Sequence, residues 1–300
     1  MVSSVFTLAT AAAAFVFSSV QAAPLRRQSI TSLPKSETTV YQPFAYYASA
    51  SYCGATSTLA WDCGAACDAN SGFQPVASGG DGDGTQYWFV GYDPHQDTVI
   101  VSHQGTKPLE FLSDLTDAKF FLASLNETLF PGIDSGVEVH NGFASQQAST
   151  APAILDAVKT SLSRFNTRSV TLTGHSLGAA LSLLDTVFLS LNLPEDVALS
   201  TIGYGLPRVG NQAWADYLDA NIQVTHINNQ EDPVPTLPGQ FLGFHHPSGE
   251  IHIQDTGVWD VCPGQDNPSD LCIVGDVSNV FEGSISDHDG PYDGVTMGSC

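Results

Sequence analysis

Gly174-His175-Ser176-Leu177-Gly178 is the segment of this chain whose residue types and spacing are best suited to chemistry. It reads G-x-S-x-G, the spacing that places a serine on a tight turn between a strand and a helix with its hydroxyl pushed outward. Glycine and serine are common, so the pattern alone also describes an ordinary loop. The flanks supply what the pattern needs. Ser169-Val170-Thr171-Leu172-Thr173 is a short β-branched run that suits a buried strand. Leu177, Ala180, Leu181, Leu184, Val187, Phe188 and Leu191 recur at helical spacing. The Ser176 hydroxyl is then expected at the positive end of a helix. The chemistry is nucleophilic attack by serine, which requires a base, usually histidine, oriented by a carboxylate.

On such an elbow the chain order is serine, then acid, then histidine. Asp232 lies in Asn228-Asn229-Gln230-Glu231-Asp232-Pro233-Val234-Pro235, just after a predicted strand and inside a loop stiffened by two prolines. The histidines beyond Ser176 are His226, His245, His246, His252 and His288. His226 precedes the acid, His245 and His246 sit in an aromatic loop, and His252 lies in a strand-like run. His288 stands in a polar loop near the C-terminus and is the favoured base. An acyl-transfer site also needs backbone donors for the oxyanion. Leu177, the residue after the nucleophile, supplies one. Thr106, in Gln104-Gly105-Thr106 after the predicted strand Thr98–Ser102, fits the second, with a plain turn as the alternative reading.

The elements that must position these residues follow from periodicity. Gln86–Tyr92 and Thr98–Ser102 read as strands around a turn at Asp93-Pro94-His95. Ile154, Leu155, Val158, Leu162 and Phe165 mark an amphipathic helix. Leu199–Tyr204 and Ile222–Ile227 read as strands, with a helix over Asn211–Ala220 between them. From Asp232 onward Pro, Gly and Asp dominate, which predicts a loop-rich end. Alternating strands and helices predict an α/β fold of the α/β-hydrolase type. Its central sheet is mostly parallel, with helices on both faces and Ser176 at the carboxyl end of a central strand.

The 300 residues fit one domain, with no visible repeat or linker, and 42% hydrophobic residues supply a sizeable core. Val5–Val20 is apolar and small, and Val20-Gln21-Ala22 resembles a signal-peptidase site, so residues 1–22 read as a signal peptide of an exported protein. The stretch is too short and too rich in hydroxyls for a stable membrane anchor, although no Lys or Arg lies near Met1. Arg26-Arg27 is a dibasic pair that would end a propeptide over residues 23–27 and leave residues 28–300 as the domain. The net charge of −22 repels nucleic acid and anionic membranes and favours a soluble monomer. Six cysteines in an exported chain point to disulfides. Cys63 and Cys67 suit a small local loop, Cys262 and Cys272 flank a Pro/Asp/Asn-rich loop, and Cys53 is left with Cys300. Zinc is disfavoured because paired C-x-x-C knuckles are missing. Asn126-Glu127-Thr128 is a usable glycosylation sequon, whereas Asn267-Pro268-Ser269 is excluded by its proline.

Further segments carry a resemblance. Tyr46-Tyr47-Ala48-Ser49-Ala50-Ser51-Tyr52-Cys53, Val139-His140-Asn141-Gly142-Phe143, Tyr204-Gly205-Leu206-Pro207-Arg208-Val209-Gly210-Asn211, Asp232-Pro233-Val234-Pro235 and Asp287-His288-Asp289-Gly290-Pro291-Tyr292 are similar to motifs of secreted fungal class 3 lipases. That group contains triacylglycerol lipases and feruloyl esterases, and the likeness runs from about Tyr41 to Cys300. It implies a Ser176, Asp232 and His288 triad, Thr106 and Leu177 as oxyanion donors, and the three disulfides. It also implies that no metal or cofactor is needed. His140 and His175 belong to these motifs and read as packing residues. Gln104 stands where the group often has Arg, so any ion pair of that Arg is missing or replaced.

The resemblance further implies a short lid helix at about Lys107–Lys119, in which Leu109, Phe111 and Leu112 oppose Glu110, Ser113 and Asp114. Such a helix can cover an apolar cleft in water and lie on lipid when open, though an ordinary surface helix has the same pattern. Phe241 and Leu242 add apolar material for an acyl groove. The reading is a triacylglycerol lipase acting on a lipid or ester substrate at an oil–water interface. The alternatives are a feruloyl or other soluble carboxylesterase, and a catalytically inactive lipase-like binding protein.

Overall fold

The structure, a computed structural model, describes residue 1 and residues 29–106, 121–279 and 281–300. Its strands are β1 (Thr31–Leu33), β2 (Gln74–Gly79), β3 (Trp88–Asp93), β4 (Thr98–His103), β5 (Leu122–Ser124), β6 (Glu138–His140) and β7 (Ser169–His175). They continue with β8 (Ala198–Tyr204), β9 (Gly210–Asn211), β10 (Gln223–Asn229), β11 (Phe244–His245), β12 (Glu250–Ile253) and β13 (Trp259–Cys262). Nine form one sheet in the order β1-β13-β12-β10-β8-β7-β4-β3-β2. The five central strands β4, β7, β8, β10 and β12 run parallel, and the strands at both edges pair antiparallel. The sheet is therefore mixed, with a parallel centre of the α/β-hydrolase type. β5, β6, β9 and β11 form a smaller antiparallel sheet beside it.

Both faces of the main sheet are covered, as strands buried on each side require. Side chains alternate between two cores. Val90, Val99, Val101, Val170 and Leu172 pack with Ile154, Val158 and Leu162 of the helix Asn141–Phe165 and with the helix Leu177–Asn192. Phe89, Ile100, Tyr204 and Ile227 face the other way, onto Phe44, Ala45, Tyr47 and Ala48 of the helix Gln42–Ala50. The helix Leu177–Asn192 is buried at every position from Leu177 to Leu189. A helix buried on every side belongs in a core, and this one is fixed behind the serine turn. Among the described residues no helix is long and apolar enough to cross a membrane.

The end of the chain is more ordered than its composition predicts. β12 and β13 complete the sheet, and the fully buried Glu-Ile-His-Ile of β12 sits between β10 and β13. Its alternating polar residues hide a central strand, because both polar side chains find partners inside. His288 likewise ends a one-turn helix, Ile285–His288, rather than lying in a loop. Disulfides join Cys53 to Cys300, Cys63 to Cys67 and Cys262 to Cys272. Asn126 is exposed, and its side-chain oxygen accepts from Thr128 N at 2.9 Å.

Candidate active site

Ser176 joins β7 to the helix Leu177–Asn192 with φ 58° and ψ −127°. A side chain at positive φ is strained, and the surroundings must hold it there. Ser176 N donates to Tyr204 O at 2.9 Å. A Cβ at Gly174 would lie 2.4 Å from Gly178 backbone atoms, and one at Gly178 would lie 2.2 Å from His103 O. Both glycines of the motif are thus demanded by backbone packing, one within the elbow and one against the strand that leads into Gln104-Gly105-Thr106. A Cβ at Gly105 would stand 3.2 Å from Ser176 Cβ, so this loop passes directly beside the serine. Leu177 N–H is the first of the helix and has no intrahelical acceptor.

Asp232 follows β10, as expected of an acid at a strand end. It is fully buried; one carboxylate oxygen accepts from Val234 N at 2.9 Å and the other meets His288 Nδ1 at 2.8 Å. That contact puts the His288 proton on Nδ1 and leaves the Nε2 lone pair for a proton acceptor's role. His288 Nε2 and Ser176 Oγ are both buried, and among the described residues neither has a hydrogen-bond partner. The His288 ring lies against the Gly205 backbone, where a Cβ would be 2.8 Å from it, and Gly205 follows the Tyr204 carbonyl that holds Ser176. The structure therefore brings Ser176, His288, Asp232, Leu177 and the Gly105–Thr106 turn into one buried neighbourhood. Unpaired serine and histidine atoms fit a site whose contacts tighten when substrate binds.

The other histidines are placed elsewhere. His226 and His246 stack on each other, with centroids 4.9 Å apart, and bond to the carbonyls of Pro247 and Pro235. His252 lies between the carbonyls of Gln230 and Leu271. His245 is near Asp266, at 3.3 Å. His140 caps the helix Asn141–Phe165 by accepting from Phe143 N at 3.2 Å and stacks on Phe143. Gln104 Oε1 accepts from Tyr87 N at 2.9 Å, so a neutral side-chain contact anchors the loop where an arginine was expected.

Three further groups support the site and were not singled out from sequence. Arg208 is buried, pairs with Asp266 at 2.8 Å and donates to the carbonyls of Thr236 and Pro238, clamping the loop that continues from Asp232. Tyr52 bonds to His175, and Tyr292 bonds to the His288 carbonyl. Tyr52, Arg208 and Tyr292 all occur inside motif segments, whereas Asp266 had no local signal. A cleft of about 640 Å³ opens between the loop after Asp232 and the segment before His288. Its lining includes Leu237, Pro238, Phe241, Leu242, Val277 and Phe281. Phe241 and Phe281 are 89% and 94% exposed at its rim. The lid residues Leu109, Phe111 and Leu112 lie outside the described residues, as do the signal-peptide and propeptide segments.

Comparison with known proteins gives a consistent result. The family profile described as Lipase (class 3) matches residues 100–242. A secreted mono- and diacylglycerol lipase of Malassezia globosa, MDL2, is 32% identical over 237 residues, covering 73% of this chain and 76% of that protein. A secreted mono- and diacylglycerol lipase of Malassezia restricta, LIP2, is 33% identical over 198 residues, and the match spans 65% of this chain but only 61% of that relative's length. The fold superimposes on Rhizomucor miehei lipase in its native propeptide complex with a TM-score of 0.78, at 26% identity, covering 90% of this chain and 85% of that one. Lipase II from Rhizopus niveus gives 0.78 at 25% identity, covering 91% and 100%.

Proposed function

The chain belongs to the class 3 lipase family, and from that premise we propose that it is a secreted serine carboxylic-ester hydrolase acting on acylglycerols, triacylglycerol foremost. One observation carries the proposal: a buried histidine has its Nδ1 held by Asp232 and its Nε2 without a partner among the described residues, beside a serine fixed at positive φ. Ser176 Oγ attacks the ester carbonyl carbon while His288 Nε2 takes its proton. Asp232 orients the ring and stabilises the imidazolium. The N–H groups of Thr106 and Leu177 receive the oxyanion. Collapse breaks the ester bond, and His288 returns the proton to the departing alkoxide. His288 then takes a proton from water, whose oxygen attacks the acyl-enzyme. The fatty acid leaves, and Ser176 regains its proton.

The exposed aromatic cleft between the segments carrying Asp232 and His288 supports a lipid substrate. Phe241 and Leu242 would line an acyl groove there. Export is supported by the apolar leader, by three disulfides and by relatives named as secreted. The charge of −22 supports a monomer that meets uncharged lipid at an oil–water interface. The names of the Malassezia relatives favour a second reading, in which mono- and diacylglycerols are the better substrates. The test compares purified protein on emulsified tri-, di- and monoacylglycerol, a soluble short-chain ester and methyl ferulate. Dominant triacylglycerol turnover supports the first reading and dominant partial-glyceride turnover the second. Dominant turnover of the soluble or aromatic ester would overturn the lipase assignment. A folded Ser176→Ala protein that still turns over ester would overturn the site.

A further inference from the structure

The fully buried His175 ring touches two distant parts of the chain. Its Nδ1 lies 2.6 Å from the Tyr52 hydroxyl, and its Nε2 lies 2.8 Å from the His288 carbonyl oxygen. A carbonyl only accepts, so Nε2 carries the hydrogen. Burial, reinforced by the neighbouring His288, holds the His175 pKa well below its usual value, so the ring is neutral. Nδ1 is then a lone-pair acceptor, and Tyr52 O–H must donate to it. The Gly105 backbone lies against the Tyr52 oxygen. The packing there is close: a Cβ at Gly105 would sit 2.3 Å from that oxygen. The result is a chain with a single direction, from Tyr52 O–H to His175 to the His288 carbonyl, with the Gly105 backbone packed on its donor end. Tyr292 O–H adds a second donor to the same carbonyl at 3.0 Å.

We propose that Tyr52 and His175 are positioning residues that hold the oxyanion loop and the general base in register through this chain. The proposal rests on reading Ser176, His288 and Asp232 as the acyl-transfer site. Gly105 precedes Thr106, so one end of the chain sets an oxyanion donor. The other end sets the backbone of the base. Neither Tyr52 nor His175 touches reacting atoms through this network. Acyl transfer is sensitive to displacement, because donors and base must be placed to within a fraction of an ångström when the tetrahedral intermediate forms. Rigid elements fix the chain. Tyr52 adjoins Cys53, which is bonded to Cys300, and His175 is the last residue of β7.

The test is a mutant cycle on a soluble short-chain ester. Wild type and Ser176→Ala are measured first. A wild type without turnover, or an active Ser176→Ala, would sink the reading of the site itself. With the site active, Tyr52→Phe removes one hydroxyl, and His175→Leu removes both contacts. Each is expected to lower kcat about 10-fold or more with KM changed less than about 2-fold, the signature of a loss confined to the transition state. The double variant is expected to be no worse than His175→Leu alone, because both act through one chain. His175→Gln, which can restore a donor to the His288 carbonyl, is expected to recover part of kcat. Wild-type kcat in Tyr52→Phe, or losses that multiply in the double variant, would overturn the proposal. Should His175→Leu fail to fold, Tyr52→Phe decides alone, through kcat and through weaker inhibition by a boronic-acid mimic of the tetrahedral intermediate. Unchanged values of both would overturn it.

Discussion

The His103 imidazole and the Asp185 carboxylate meet 2.8 Å apart, with both side chains buried. The second oxygen of Asp185 accepts from the Gln147 amide at 2.7 Å. His103 ends β4, where the loop to Thr106 begins, and Asp185 lies on the helix that starts behind Ser176. Gln147 belongs to the long helix Asn141–Phe165. One polar junction therefore joins the end of β4, the helix behind Ser176 and its neighbour inside an apolar core.

Removing one partner of such a junction leaves the other polar groups buried and uncompensated. Asp185→Ala is expected to destabilise the fold by about 3–5 kcal/mol. Asp185→Asn, which keeps an acceptor, should cost less. Chemical denaturation of both variants measures this, and a loss below about 1 kcal/mol for the alanine would show the junction to be energetically idle.

Ser176 is held in a backbone conformation that glycine adopts freely. Ser176→Gly and Ser176→Ala should both abolish ester hydrolysis. The glycine variant should be the more stable of the two by about 1 kcal/mol, because only it releases the left-handed strain. Thermal unfolding of the pair reports the difference. Equal midpoints would mean that the elbow imposes no strain at this residue.

Acid should weaken the fold despite its acidic surface. Burial pushes His140 and His226 down to about 4, and burial with the His226 charge pushes His246 down to about 3. The unfolded chain protonates these rings near pH 6.5, and the fold refuses the protons until far lower pH. Stability is therefore lost as pH falls from about 6.5 toward 4. Glu250 acts in the opposite sense, because burial raises it to about 7. The fold keeps a proton that the unfolded carboxyl releases above about pH 4.5, which favours the native state most at low pH. His175, also held low by burial, acts with them, and four rings outweigh one carboxyl, giving a net loss of about 4 kcal/mol per pH unit at the steepest point. Tm measured from pH 7 to pH 4.5 should fall. A flat or rising profile would contradict these burial effects.

The exposed cleft rim should matter most where lipid is aggregated. Phe241→Ser and Phe281→Ser each remove a ring that has little to pack against in water. Both should depress turnover of emulsified long-chain acylglycerol several-fold more than turnover of a soluble short-chain ester. Parallel loss on both substrates would mean that the rings serve the fold or the chemistry rather than lipid contact.

Much of the candidate site was legible because its residues are written in local order. Ser176 sits between a strand and a helix that announce themselves by period, and Asp232 follows a strand in a stiff loop. His288 was reached by order and by elimination, although its one-turn helix is too short to show a period. What stayed hidden depends on contacts between distant segments. Tyr52 meets His175 across 123 positions, and Arg208 meets Asp266 across 58. No spacing rule points from one partner to the other. β12 was only partly legible for a related reason. His252 lay in a strand-like run of an end read as loop-rich, and what completes the strand is distant: β10 and β13 pair with it, Ile273 N donates to Glu250, and the carbonyls of Gln230 and Leu271 flank the His252 ring.

The bond between Cys53 and Cys300 has a topological consequence. The two residues are 247 positions apart, so nearly the whole domain is a covalent ring, with the segment before Cys53 outside the ring. Closing so large a ring removes on the order of 5 kcal/mol of chain entropy from the unfolded state. A ring also cannot be divided by one cut. A protease that nicks any surface loop between residues 53 and 300 leaves both pieces joined and the nick's ends close together, so the domain behaves as a permuted chain rather than as two fragments. Such a nicked protein would run as one species on a gel until its disulfides are reduced, and would separate only then.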